Sequence, residues 1–190
     1  MNFTDAIETV KVLLQKKSKQ VHTEKWQGFN ISNKPEAAMH ELTDLFFRVD
    51  MPGEDLNVYR EQIKPNLKWA DDHFEERVCG EPRNPGETWK TWPWSLKADH
   101  SRVYDGKFSH TYMSRYWPKS YEGNIMRGHI FDYGDLNDVV GLLSREPNTR
   151  QAYLPIFFPE DTGALHGNRV PCTLGYHWIV RDEKINTFYP

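Results

Sequence analysis

Cys172 follows Pro171 directly, at the mouth of the alternating run "CTLGYHWIV" and behind the loop "EDTGALHGNR". A cysteine at a loop-to-strand junction suits nucleophilic chemistry, because it is reached from solvent and a cation such as Arg169 favours the attacking thiolate. The same position suits an inert core thiol, since free cysteine is among the most buried residue types. Arg150, in "EPNTRQ", reads either as an anion clamp or as a solvated arginine. Cys79 lies near Glu75, Glu76 and Glu81, whose charges disfavour a thiolate, and reads as structural. The 8 histidines show no metal-ligand spacing, and P-loop, GxSxG and GxGxxG motifs are absent.

Elements must hold these residues in place. Residues 3–19 carry an apolar stripe (Ile7, Val10, Val12, Leu13, Leu14) with Thr4 as N-cap and Lys16, Lys17 and Lys19 towards the C-terminal dipole, which predicts a helix. "QVHTEKWQGFNIS" alternates as one or two strands broken at Gly28, and "KPEAAMHELTDLFFRV" reads as a helix opened by Pro35. The stretch from Asn57 to Val78 is helical but must split at Pro65, which lacks a backbone donor. Residues 80–107, rich in Gly, Pro and Trp, read as an ordered loop that forms a ligand lid, an interface or a cover over its own core.

Downstream, "YGDLNDVVGLLSREP" predicts a helix ended by Pro147. "RQAYLPIFF", "CTLGYHWIV" and "INTFYP" predict strands, the last two joined by the turn "RDEK". The expected architecture is one α+β domain over residues 1–190, with helices ahead of a late antiparallel sheet.

Composition narrows the function classes. With 7 Trp, 9 Tyr and 10 Phe the chain has enough aromatic area to offset its ordering entropy, so it folds. A net charge of -3 supplies no global positive field, which argues against a polynucleotide partner and leaves room only for a local phosphate patch. The 2 cysteines form no CxxC pair, which fits a reducing compartment and hence the cytoplasm. No apolar run has the length of a membrane span, and the charged N-terminus does not read as a signal peptide, so no membrane partner is expected.

Three stretches taken together resemble the thymidylate synthase family, most nearly its phage deoxycytidylate hydroxymethylase branch. "PCTLGYHWIVRDEKIN" is similar to the active-site strand, with Cys-Thr followed by an aromatic-rich run and an Arg-Asp-x-Lys-Ile-Asn turn. "REPNTRQAYLPIFFPED" resembles the Asp-Ser-Arg-Arg strand and the loop leading to the cysteine, and "NPGETWKTW" resembles the hydroxymethylases' Pro-Gly-Glu-Thr segment ending in tryptophan. The motifs occur in family order over roughly the second half of the chain.

The resemblance implies a mixed or antiparallel sheet with helices packed on one side. It also implies a folate-dependent enzyme that makes a 5-hydroxymethyl pyrimidine deoxynucleotide from dCMP or dUMP, with 5,10-methylenetetrahydrofolate as one-carbon donor. It makes Cys172 the nucleophile that adds to carbon 6 of the base. Tyr112 resembles the family's active-site tyrosine and Trp92 a tryptophan near the folate; core packing is the alternative for both. Arg150 resembles one of two arginines that reach the nucleotide phosphate across a homodimer, and His177 joins it as a substrate-binding candidate. The second arginine is Gln151 here, which removes a charged fork.

Two departures accompany the likeness. The family's catalytic glutamate precedes a Leu-x-Trp step, and the matching "NLKW" puts Asn66 there, an amide that cannot shuttle protons. Glu41, in "HELTDLFF", mimics the synthases' local motif but lies much farther ahead of Trp92 than the family's separation, and is kept as a rival. In the family, the strand like "INTFYP" runs on into phosphate-, base- and ribose-binding segments; this part of the family pattern is missing here, and the resemblance implies that it is lost, carried by another chain or replaced by unfamiliar architecture. Three readings stay open: a hydroxymethylase, a synthase-type methyltransferase, or a family-derived binding or scaffold protein without catalysis. An unrelated cysteine enzyme would need His166 or His177 beside Cys172.

Overall fold

In a computed structural model, the chain is described over residues 1–26, 29–53, 55–91, 103–123, 125–126, 129–164 and 170–189. The backbone divides into two compact units, Met1–Leu67 and Lys68–Pro190. Helices and antiparallel strands are mixed along it, which makes the fold α+β. No helix among the described residues is long and apolar enough to cross a membrane.

The first unit begins with α1 (Phe3–Lys17), whose N-cap is Asn2 and not Thr4: the Asn2 side chain accepts from Asp5 N at 2.8 Å, which puts Thr4 inside the first turn. Strand β1 (Lys19–Val21) follows, then the two-stranded ladder of β2 (Lys25–Trp26) and β3 (Phe29–Asn30). The helix expected after Pro35 does not form. Pro35–Ala37 makes one 3-10 turn and the chain then extends into β4 (Met39–Glu41), paired antiparallel with β1. Cross-strand pairing outweighs the local apolar spacing there. α2 (Leu56–Ile63) is capped by Asp55 and ends on Lys64 in the left-handed region, φ 51°, just before Pro65. It packs on α1 through Phe3 and Tyr59, whose rings meet edge-on.

α3 (Leu67–Val78) resumes after Pro65, so the predicted split falls where the missing donor requires it. The segment 80–107 contains a 3-10 turn, Thr88–Thr91, and the hairpin of β5 (Val103–Tyr104) and β6 (Lys107–Phe108). Asp105 and Gly106, both at positive φ, supply the two-residue turn. α4 (Tyr112–Tyr116) starts from a capping box between Thr111 and Ser114. A short ladder of β7 (Ile125–Met126) and β8 (His129–Ile130) precedes α5 (Leu136–Arg145), whose capping box joins Asp135 and Asp138.

The late sheet has the order β11-β10-β9, all antiparallel: β9 (Tyr153–Pro155), β10 (Gly175–Arg181) and β11 (Lys184–Phe188). Asp182 and Glu183, both at positive φ, make the "RDEK" turn, with Arg181 paired to Lys184. Period-two alternation gives this sheet two faces. Leu154, Tyr176 and Trp178 face a core made with Met113, Tyr116, Trp117 and Val139 from α4, α5 and the segment between them. Tyr153, His177 and Phe188, in register across the three strands, form the other face.

Candidate functional site around Cys172

Cys172 lies in a bend three residues ahead of β10, not in the strand expected to begin with it, and the segment is tied to its neighbour in the sheet. Leu174 O accepts from Ile156 N and Phe157 N at 3.0 and 3.1 Å, which ties the residues after Cys172 to the end of β9. Pro171 and Thr173 are buried while Cys172 and Leu174 are exposed, as period-two alternation requires. Cys172 is therefore a free, exposed thiol and not a core cysteine. Cys79 is exposed too, its sulfur 3.6 Å from Glu81 O, so it does not fill the core either.

Beneath Cys172 lies a cluster of hydroxyls and rings. Thr173 Oγ1, 1% exposed, is 3.1 Å from Tyr112 Oη and 2.7 Å from Tyr189 Oη. With one proton of its own, the threonine hydroxyl donates to one phenol and accepts from the other. Tyr189 stacks at a tilt on Tyr176, which meets Tyr116 edge-on, and Tyr116 meets Tyr112 in the same way. Four tyrosines thus close a ring around the residue next to the thiol.

Arg77, from the last turn of α3, places its guanidinium carbon 4.2 Å from the centre of the Tyr112 ring. α3 is anchored there by Trp117 Nε1, which donates to Arg77 O at 2.8 Å. Burial pushes the Tyr112 phenol above its usual value; the Thr173 hydrogen bond and the Arg77 charge act against this, and the nearby Tyr189 and Cys172 add to it. Tyr176 is raised further, first by burial and then by its hydrogen bond and charge coupling to Tyr116. Both phenols are neutral donors near pH 7.

On α3, Trp69, His73 and Arg77 follow each other at four-residue steps and share one face. Trp69 stacks on His73 with ring centres 4.8 Å apart. The His73 imidazole titrates at about 4 because burial, and then the Arg77 charge, disfavour its cationic form against the opposing Glu76 carboxylate. Trp69 Nε1 and Arg77 Nε are buried without a hydrogen-bond partner among the described residues.

Glu76 points another way. Its carboxylate, 6% exposed, accepts from Glu87 N at 2.5 Å, from Thr88 N at 3.3 Å and from the Thr88 hydroxyl. It thereby holds the Pro-Gly-Glu-Thr segment against the end of α3. Gly86 is required there: at φ 80° a Cβ would sit 2.6 Å from Glu76 Oε1. Arg83, Asn84, Gly86, Glu87 and Lys90 line a cleft of ≈ 610 Å³ on this segment, in which Arg83 pairs with Glu81 and Lys90 with Glu87.

The sequence candidates fall into separate places. Tyr112 and Cys172 come together through Thr173. Arg150 is exposed, and its carbonyl accepts from His177 Nε2 at 3.0 Å, which links the two substrate-binding candidates at the second face of the sheet. Asn66 is exposed, immediately before α3, and Glu41 is exposed on β4, paired with Lys19; both belong to the first unit. Trp92, His166 and Arg169 lie outside the described residues. Sequence reasoning missed Arg77, Tyr189 and Glu76. For Arg77 the four-residue spacing from Trp69 and His73 was a usable signal; for Tyr189 and Glu76 only tertiary contacts reveal the role.

Among the described residues no group of three or more His, Cys, Asp or Glu side chains is arranged to hold a metal ion. A comparison with family models and with curated proteins found no match to this chain.

Proposed function

We propose that the chain is a thymidylate synthase-like pyrimidine deoxynucleotide 5-hydroxymethylase that uses Cys172 as its nucleophile. One observation supports the reading: the Tyr112 hydroxyl is hydrogen-bonded to Thr173, 61 positions away and next in sequence to Cys172, whose thiol is exposed. In this reading Cys172 Sγ adds to carbon 6 of dCMP or dUMP, and carbon 5 becomes the nucleophile that takes up a one-carbon unit in exchange for its proton, with tetrahydrofolate as the leaving group. Water completes the hydroxymethyl group, and the carbon–sulfur bond breaks to return the thiol. Tyr112, kept protonated by burial and hydrogen-bonded to the residue after Cys172, is the candidate group to hold a proton at its phenol oxygen.

The one-carbon donor is a reduced folate, which supplies carbon at the oxidation level of formaldehyde when bound. The orphaned donors Trp69 Nε1 and Arg77 Nε suit a ligand rich in carbonyl and carboxylate acceptors. We assign the chain to the cytoplasm on its free thiols, and to a homodimer on the exposed second face of its sheet.

A second reading, a nucleotide-binding protein without turnover, is favoured by Asn66 at the glutamate position. Intact mass spectrometry separates the two. Incubation with 5-fluoro-dUMP or 5-fluoro-dCMP and methylenetetrahydrofolate should yield a covalent adduct that Cys172→Ser abolishes. Nucleotide binding without an adduct from either base would leave the second reading in its place.

A further inference from the structure

We infer that Arg77 is an oxyanion-binding residue of the Cys172 site, whose missing partner is a phosphate or carboxylate of the bound ligand. The inference deepens the function proposed above and rests on it for the location of the ligand.

A guanidinium withdrawn from water needs a counter-charge or a full set of acceptors. Arg77 is partly buried, and its Nε is enclosed without a hydrogen-bond partner among the described residues. Its neighbour Glu76 is spent on Glu87 and Thr88. The fully buried arginine of this unit, Arg115, has a carboxylate beside it and donates to Asp161 at 3.0 Å. What Arg77 does have is a wall. The Tyr112 ring lies 4.2 Å from its guanidinium carbon and fixes the plane of the fork, and Tyr112 in turn is held by Thr173, the residue after the exposed thiol. A planar cation beside an aromatic ring, with an unspent Nε donor, suits recognition of phosphate or carboxylate. Trp69 Nε1, also buried and unmatched on the same face of α3, adds a neutral donor.

The test is calorimetric titration of the full chain with three probes: deoxycytidine monophosphate, deoxycytidine, and p-aminobenzoylglutamate, the carboxylate-bearing tail of folate. If the oxyanion is the nucleotide phosphate, Arg77→Gln should weaken the monophosphate by about tenfold to a hundredfold and leave the nucleoside within about twofold. If it is the folate carboxylate, the same loss should fall on p-aminobenzoylglutamate alone. Equal binding of all three by wild type and R77Q overturns the inference, as does a wild type that binds neither anion. Because only the Arg77 carbonyl holds Trp117, R77Q should keep its fold. Should it not, the Arg77 Nε–H resonance of the wild type, assigned by its absence in R77K, must shift on adding the anion. An unmoved resonance is equally fatal. A chain that binds oxyanions through Arg77 but forms no adduct at Cys172 keeps this inference and removes the hydroxymethylase.

Discussion

Tyr112 draws together most of what single residues contribute here. Its hydroxyl bridges to Thr173, so Tyr112→Phe should cost about 0.5–1.5 kcal/mol of stability, read by urea unfolding, and should slow adduct formation at Cys172. An adduct rate equal to wild type would show that the phenol is only a packing element. His73 makes a second residue-scale prediction. Its imidazole titrates at about 4 when folded against about 6.5 when unfolded, so between these pH values the unfolded chain binds more protons and stability falls as pH is lowered. His73→Phe keeps an aromatic ring on Trp69 and should flatten that part of the stability profile between pH 7 and 4.5; an unchanged slope would assign the acid sensitivity elsewhere. An exposed Cys172 is one of two readings its position in the sequence allows, and Tyr112 is singled out only by the family resemblance. Arg77 is not legible there, because an arginine in a charged helix is ordinarily solvated. Only the fold shows that this one faces a tyrosine ring and not a carboxylate.

Elements with strong local signals were readable: α5 between its cap and Pro147, the break at Pro65, and the strands joined by "RDEK" all form where spacing and turn chemistry put them. The segment after Pro35 was misread because its apolar spacing serves either period, and pairing with β1 decided the outcome. The Arg115–Asp161 pair was illegible, since it joins α4 to the turn after β9 across 46 residues of sequence. Asp161 also accepts from Phe158 N at 2.9 Å, while the Arg115 guanidinium lies on the Phe158 ring, so the pair anchors the chain that leads towards Cys172. Removing one partner leaves a buried charge: Asp161→Ala should cost about 3–5 kcal/mol and lower the melting temperature sharply. A loss within about 1 kcal/mol would mean that water reaches Arg115. Gly86→Ala tests the other anchor, forcing a Cβ onto the Glu76 carboxylate at a backbone φ that L residues rarely adopt, at a cost of about 1–3 kcal/mol.

At the scale of the whole molecule the proposed homodimer rests on the second face of the late sheet. Tyr153 and Phe188 are 44% and 46% exposed and flank His177 in register, an aromatic row that a solitary chain would leave against water. Covering it with a second copy about a two-fold axis would bring Arg150, bound to His177 through its carbonyl, towards the neighbouring subunit. The protein should therefore run at twice its 22.4 kDa in light scattering, and Phe188→Lys should return it to the monomer. The stronger test uses two inactive partners. On the proposed function Cys172→Ser removes the nucleophile and Arg150→Ala the clamp, so neither homodimer should form the adduct efficiently. If Arg150 acts across the interface, a mixed dimer carries one site with both defects and one with neither, and co-refolding the two variants should restore adduct to about a quarter of the sites. If Arg150 serves the thiol of its own chain, every site in the mixture lacks one group or the other, and no adduct returns.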